Sequence, residues 1–321
     1  MQKSLIIQQI HSHIEKAENA LLLTHENPDI DAVSSVFAFS QYLENNNIGH
    51  SIFFKNMPKG LFDEIMLYKK YISEIAELKK TYDVIVVFDS GDTYHTGIEE
   101  MLAEHKKKIP IINIDHHPTN TLFGHINLIE TSAVSTTEIL FDYFVHHNVT
   151  ISKNIALYLV AGILGDTNNF TNHNTTSKSI EVASRLIQTG LNINKIANAI
   201  KQKKPIEAIN SWGKILSRLT IHEKYNIATT VITKKDLEEI GENQELVSGI
   251  SNYLNNISNV KISMVIKEGL DGIIKVSMRS NNDLIDLSKF AKIFNGGGHK
   301  KAAGFSIKGK LLETEKGWKI I

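Results

Sequence analysis

The chain has 321 residues, with 35 basic against 35 acidic side chains, 42% apolar residues and no cysteine. That length supplies two domains with separate cores, and the balanced charge excludes a protein that coats long nucleic acid through its overall field. Without cysteine there are no disulfides, thiolate nucleophiles or cysteine-zinc sites, in keeping with a reducing, cytoplasmic setting.

At the amino terminus Leu5, Ile6, Ile10 and Ile14 make a helical stripe rather than a signal-peptide core, and no apolar run is long enough to span a bilayer. The expectation is a soluble cytoplasmic protein with no membrane partner. Residues 20–23 predict a buried strand and residues 31–43 a helix with Val33, Val36, Phe37 and Leu43 turned inward. The turn between them, in LLLTHENPDID, holds His25, Pro28, Asp29 and Asp31. A helix cap accounts for one of those aspartates and leaves His25 unexplained. Residues 51–54 predict a second strand and residues 61–78 helical material. Residues 84–88 form an unbroken apolar run, as in a parallel strand covered on both faces, with Asp89 the first polar residue after it. Asp92 and His95 read as turn or surface residues. A charged helix over 99–108 leads to an apolar run, 109–114, that stops at Asp115-His116-His117 in NIDHHPTN.

Ser135 and Glu138 fit a capping box that opens a helix reaching residue 144, with His146 and His147 as surface residues at its end. Residues 154–164 predict a buried helix ended by Gly165-Asp166, and residues 177–188 another. A domain over 1–190, a linker over 191–220 that includes Lys201, Lys203, Lys204 and Pro205, and a domain over 221–321 are expected. The last carries strands at 227–232, 261–266 and 273–279 and helices at 235–240, 245–257 and 286–294.

Four apolar runs therefore end in carboxylate or imidazole: at His25 to Asp31, at Asp89, at Asp115 to His117 and at Asp166. In an open parallel α/β sheet such ends converge on the crevice outside the carboxyl ends of the strands. Hard oxygen ligands mixed with imidazole suit Mn²⁺, Mg²⁺ or Zn²⁺, and a surplus of carboxylates can hold two divalent ions. The fold class expected is α/β: a doubly wound, mostly parallel sheet followed by a smaller α/β domain, with the active site in a cleft between them. In the second domain FNGGGHKKAAGF (294–305) sets Gly296, Gly297 and Gly298 beside His299, Lys300 and Lys301, while Arg279 ends the preceding strand. Glycine amides approach a phosphate closely and the cations supply charge-assisted bonds. Only three arginines occur, Arg185, Arg218 and Arg279.

These motifs, in this order, resemble the DHH phosphoesterase superfamily, in the branch whose second domain carries GGGH. Length and layout are similar to the bifunctional oligoribonuclease and 3′-phosphoadenosine 5′-phosphate (pAp) phosphatase family, the nano-RNases. The resemblance implies two Mn²⁺ ions, with Mg²⁺, Co²⁺ or Zn²⁺ as substitutes. His25, Asp29 and Asp89 would hold one; Asp31, Asp89, His116 and Asp166 would hold the other. It implies that Asp115 orients His116, that His117 faces the substrate phosphate, and that Arg279, Gly296 to Gly298 and His299 bind the far end of the nucleotide. The implied substrates are short single-stranded RNA and pAp, with a homodimer as a possible assembly. Ile30, Ser34 and the Asn168 that follows Thr167 depart from the family pattern. A phosphodiesterase for linear or cyclic dinucleotides (pApA, c-di-AMP) and a catalytically inactive nucleotide-binding module are the competing expectations.

Overall fold

The structure is a computed structural model and describes residues 2–57, 69–78, 81–106, 108–172, 174–200, 205–241, 244–247, 249–315 and 317–321. The chain divides into two compact units, Met1–Gln202 and Lys203–Ile321.

The first unit runs α1 (Gln2–Glu15), β1 (Asn19–Leu23), α2 (Ile30–Asn45), β2 (Gly49–Phe53), β3 (Val84–Phe88), α3 (Glu99–Lys106), β4 (Ile111–Asp115), β5 (Ile126–Ile129), α4 (Thr136–His146), α5 (Lys153–Asp166), α6 (Ser177–Ile187) and α7 (Ile193–Ile200). Its five strands are all parallel, in the order β2-β1-β3-β4-β5. Strands β1 and β3, inside the sheet, are apolar without alternation because both faces are covered. Ala20, Leu22, Val84, Val86 and Phe88 enter one core with Val33, Phe37, Ile139 and Leu159 of α2, α4 and α5. Leu21, Leu23, Ile85 and Val87 enter another with Phe53, Ile98 and Leu102. Ser135 caps α4, accepting from the Glu138 amide, while the Glu138 carboxylate accepts from the Val134 amide at 3.3 Å. The box thus closes one residue further out than its usual form.

Several boundaries differ from expectation. Residues 61–68 lie outside the described residues. From 69 to 74 the chain is irregular, bridging to β2 at Ile72, and a short 3₁₀ turn over Ile75–Glu77 stands where helix was expected. Strand β5 was not anticipated: it lies at the sheet edge, and of its residues Leu128 alone is buried, so it has no apolar run to announce it. In the stretch expected to link the domains, Lys201, Lys203 and Lys204 lie outside the described residues, and α7 packs Ile196 into the first core.

The second unit comprises α8 (Ile206–Leu216), β6 (Thr220–His222), β7 (Ile227–Ile232), α9 (Lys234–Ile240), α10 (Ile250–Leu254), β8 (Ile262–Glu268), β9 (Ile273–Arg279), α11 (Leu287–Ile293), β10 (Gly297–His299), β11 (Ala302–Lys308) and a hairpin of β12 (Leu311–Thr314) and β13 (Gly317–Ile320). Its mixed sheet has the order β10-β11-β9-β8-β7-β6, in which β7 and β8 are the parallel pair. The single helix expected over 245–257 is broken by Gly249, whose φ of 80° precedes α10. The glycine run expected as a phosphate loop forms an edge strand, β10, paired antiparallel with β11. Among the described residues no helix is long and apolar enough to cross a membrane.

Helices α2 and α5 are held together by glycine. A Cβ at Gly165 would stand 1.8 Å from Ile30 Cγ2, and one at Gly162 would stand 2.4 Å from both Asp31 Oδ1 and Thr137 Oγ1. Alanine there gains up to about 1 kcal/mol of helix propensity, but forcing these neighbours apart costs roughly 1–3 kcal/mol. We therefore expect Gly162→Ala and Gly165→Ala each to lower the midpoint of urea unfolding. A midpoint raised by either substitution would contradict this packing.

Candidate metal centre

The strand order reverses between β1 and β3, and in a doubly wound sheet the crevice opens at such a point. His25, Asp29 and Asp31 follow β1, Asp89 follows β3, and Asp115, His116 and His117 end and follow β4. Asp166 is the last residue of α5. Chain separation vanishes at this point: three groups have ligand atoms all within 4.8 Å of one another. They are His25 with Asp29 and Asp89; Asp31 with His116 and Asp166; and Asp89 with His116 and His117.

Local structure aims each group. Asp29 caps α2, its Oδ1 accepting from the Ala32 amide at 3.1 Å. Asp29 is thus the aspartate that a cap accounts for, but capping is not its sole placement, since its carboxylate also lies beside His25 and Asp89. Asp31, fully buried, sits at the amino end of α4. Its Oδ2 accepts from the Thr136 amide at 2.6 Å, and its Oδ1 from the Thr137 amide at 3.1 Å and the Thr137 hydroxyl at 2.6 Å. The helix dipole favours an anion there. Asp89 leaves β3 with φ of 51°, a left-handed conformation that aspartate tolerates better than most residues. The Thr136 hydroxyl donates to its Oδ1 at 2.9 Å.

Asp89 has a different neighbour on each oxygen: His25 Nε2 lies 3.9 Å from Oδ2, and His116 Nε2 lies 3.5 Å from Oδ1. His116 Nε2 also stands 3.3 Å from Asp166 Oδ2. One expectation shifts: the Asp115 carboxylate does not engage the His116 ring. Its Oδ1 accepts from His117 Nδ1 at 2.7 Å and from the His116 amide at 2.8 Å, and its Oδ2 accepts from Asn120 Nδ2 at 2.6 Å. Asp92 and His95 pair with each other at 2.8 Å, His95 being exposed, as a turn would have them.

The electrostatics are those of crowded anions. Burial, then the charges of Asp31, Asp29 and Asp166, push the Asp89 carboxyl well above the usual carboxylate range. Burial and the charges of Asp31 and Asp29 do the same to Asp166, and burial also raises Asp31. His25 is pushed down by burial. Asp115 behaves differently: burial alone would raise it, but the bonds from His117 and Asn120 hold it low. The same bond raises His117. Oxygen donors with imidazole, packed so that their own charges are unfavourable, fit divalent cations.

Thr136, Thr137, Asn120 and Gly162 were not singled out from the sequence. Each acts by supporting a carboxylate, and two threonines opening a helix, or an asparagine in a turn, carry no signal of that duty on their own. In the second unit Arg279 ends β9, with Nε donating to Asn252 Oδ1 at 2.8 Å and Nη1 to the Met278 carbonyl at 3.0 Å. Arg218 is paired with Asp236 and Arg185 lies over the Phe141 ring, whereas Arg279 has no carboxylate partner among the described residues. His299 ends β10; its side chain lies outside the described residues.

Residues 19–163 match the family model described as the DHH family, N-terminal domain, and residues 224–316 match the DHHA1 domain. The chain is 28% identical to the bifunctional oligoribonuclease and PAP phosphatase NrnA of Bacillus subtilis, over 90% of this chain and 90% of that protein. The crystal structure of an exopolyphosphatase-related protein from Bacteroides fragilis superposes with a TM-score of 0.84 at 24% identity, covering 95% of this chain and 92% of that one. RecJ from Thermus thermophilus, in complex with Mn²⁺, gives a TM-score of 0.54 at 12% identity, covering 95% of this chain and 52% of that one.

The raised carboxyls set the sign of a stability test. A group whose folded pKa is raised contributes stability that is present below its unfolded pKa, near 3.9 for aspartate, and lost as pH rises through the folded value. At neutral pH and without metal, Asp89 and Asp166 thus weaken the fold. In chelator at pH 7.5, Asp89→Asn is expected to unfold at a higher temperature than the wild type. Adding Mn²⁺ should stabilise the wild type by about 2.7 kcal/mol per site at a hundredfold excess over Kd, and so raise its midpoint, and stabilise the variant less. A wild-type midpoint indifferent to Mn²⁺ would remove the metal centre.

Proposed function

The chain belongs to the DHH family, with a DHHA1 domain behind its DHH domain, and from that premise we propose that it is a metal-dependent phosphoric ester hydrolase. Its substrates in this reading are short single-stranded oligoribonucleotides of two to a few nucleotides, cut to mononucleotides, and pAp, converted to AMP. What carries the reading is the convergence of Asp29, Asp31, Asp89, Asp166, His25 and His116 at one sheet end. The relative from Bacillus subtilis, alike over nearly the whole chain, supports the substrate class.

His25, Asp29 and Asp89 would hold one Mn²⁺, and Asp31, Asp89, His116 and Asp166 a second. Mg²⁺, Co²⁺ or Zn²⁺ suit the same donors. When bound, such a pair supplies a water of lowered pKa and neutralises charge on the phosphoryl oxygens. Asp115 holds His117 through Nδ1, which leaves Nε2 for a substrate oxygen. With its pKa raised by that bond, His117 is a proton donor or cationic contact for the phosphate. Arg279, without a carboxylate partner among the described residues, together with Gly296 and the strand Gly297–His299, takes the nucleotide's other anionic end. The enzyme is assigned to the cytoplasm.

Turnover is tested on pAp, diadenylate and longer RNA in defined Mn²⁺. Asp89→Ala should abolish hydrolysis of all three while the protein stays folded by circular dichroism; retained activity would remove Asp89 from the chemistry. Arg279→Ala should raise KM for pAp and dinucleotide by the equivalent of ~1.5–3 kcal/mol, the worth of a bond to a charged group. An unchanged KM counts against the assignment. Turnover confined to diadenylate would favour a dinucleotide phosphodiesterase instead.

A further inference from the structure

Asp92 and His95 follow Asp89 in the same loop yet belong to none of the three ligand groups. A turn accounts for part of their contact: Asp92 Oδ1 accepts from the His95 amide at 2.8 Å, as an aspartate that opens a turn does. A turn does not require the second bond, in which the His95 ring donates from Nδ1 to Asp92 Oδ1 at 2.8 Å and lies 2.9 Å from Oδ2. The Tyr94 ring stands edge to face with it, 5.5 Å between centroids. The imidazole is therefore oriented although 66% of the side chain is exposed. Asp115 and His117 repeat the arrangement at the end of the neighbouring strand, β4.

The loop that carries His95 is pinned from both sides. Glu26, next to His25, donates its amide to the His95 carbonyl at 2.7 Å. Lys55 pairs with the Glu26 carboxylate at 3.0 Å, and Gly97 passes so close that a Cβ there would stand 2.6 Å from Lys55 Cδ and 2.9 Å from Glu26 Oε2. On the other side the Thr121 amide donates to the Gly91 carbonyl at 2.8 Å, and Asn120 Nδ2 to the Ser90 carbonyl at 3.2 Å. His95 thus keeps a set place against the residue that follows His25. Burial is the main influence that lowers His25, and the charges of His117 and His95 lower it further, so both rings lie within its electrostatic reach.

The bond on the inner nitrogen decides what the outer one can do. An ionised carboxylate only accepts, so Nδ1 carries a proton, and in the neutral ring Nε2 keeps its lone pair. Burial alone would raise the Asp92 carboxyl, but the bonds from His95 hold it low and keep it an acceptor. An exposed, oriented acceptor at the rim of the metal centre calls for a donor on the substrate. An ionised phosphate has no hydrogen to give, whereas a ribose 2′-hydroxyl has one.

We propose that His95 reads the ribose 2′-hydroxyl of the nucleoside whose 3′-phosphate is being hydrolysed, with Asp92 as its positioning residue. The proposal rests on the phosphoesterase reading above. In pAp the bond that breaks joins phosphorus to O3′, and the 2′-hydroxyl sits on the adjacent carbon. A phosphate at the His25 side of the metal centre therefore carries that hydroxyl to the rim where His95 stands. The hydroxyl donates to Nε2; a deoxyribose leaves Nε2 without that partner.

The test compares kcat/KM of the full chain on pAp and on its 2′-deoxy analogue, at pH 8 in defined Mn²⁺. The wild type should favour the ribose form. His95→Ala should reduce that ratio by roughly three- to tenfold, the value of one neutral hydrogen bond, and Asp92→Ala should reduce it too. A merely structural role for the pair would slow both substrates alike and leave the ratio where it was. His95→Lys, which offers a cation but no lone pair, should not restore the preference. The proposal is overturned if the wild type treats the two substrates alike, if His95→Ala keeps the wild-type ratio, or if His95→Lys does. Mn²⁺-dependent hydrolysis of a small chromogenic phosphodiester, which has no ribose, tests the phosphoesterase reading in the wild type. Its absence, with pAp also left intact, sinks that reading and the ribose contact together; its presence with an unmoved ratio sinks the ribose contact alone.

Discussion

Everything in the first unit turns on bringing several carboxylates together in a place that water barely reaches. Asp31 and Asp89 are almost fully buried, and the charge of Asp31 raises the cost of ionising Asp89. A protein that needed only stability would not keep that arrangement, since like charges in a poorly solvated site are among the costliest features a fold can hold. The fold answers with donors in fixed positions. The amino end of α4 gives Asp31 two amides and a hydroxyl, and the Thr136 hydroxyl goes to Asp89. These contacts keep the carboxylates oriented without cancelling their charge. Divalent cations are the partners for which such an array is suited.

The same support reaches back into the packing. Asp31 can dock on α4 because Gly162 has no side chain where α5 passes, and α2 can lie against α5 because Gly165 leaves space for Ile30. Helix packing and ligand geometry are therefore one constraint. A residue that thickened α5 by a methyl group would displace a carboxylate as well as a helix.

The second unit applies a related logic with the opposite sign. Arg218 meets Asp236, whereas Arg279 is steadied by Asn252 and a backbone carbonyl, neutral partners that position the guanidinium, and it has no carboxylate partner among the described residues. The helices on its side of the sheet bury Ile232 of β7 and Val265 of β8, whereas the β10 and β11 residues on that side are mostly small, Gly297, Ala302, Gly304 and Ser306 among them. The first unit concentrates negative charge, whereas in the second a guanidinium without a carboxylate partner among the described residues ends a strand.

Much of this was legible in the residues. Strand β3 appeared at its observed bounds because a parallel strand buried on both faces has no polar interruption, and β7 and β9 did so for similar reasons of apolar patterning. Most of the carboxylates and imidazoles could be named because they follow such a run, and a parallel sheet sends all its strand ends to one side; Asp166 instead ends the buried helix α5. Periodicity could not show β5 or β10, whose short edge positions bury little. Nor could it show that Asp115 would hold His117 rather than the His116 ring, or that Thr136, Thr137 and Gly162 would serve residues more than a hundred positions away or across a helix interface. Sequence pattern reports what a segment buries and where it turns. Which donor meets which acceptor depends on how distant segments pack, and that was decided by the tertiary structure alone.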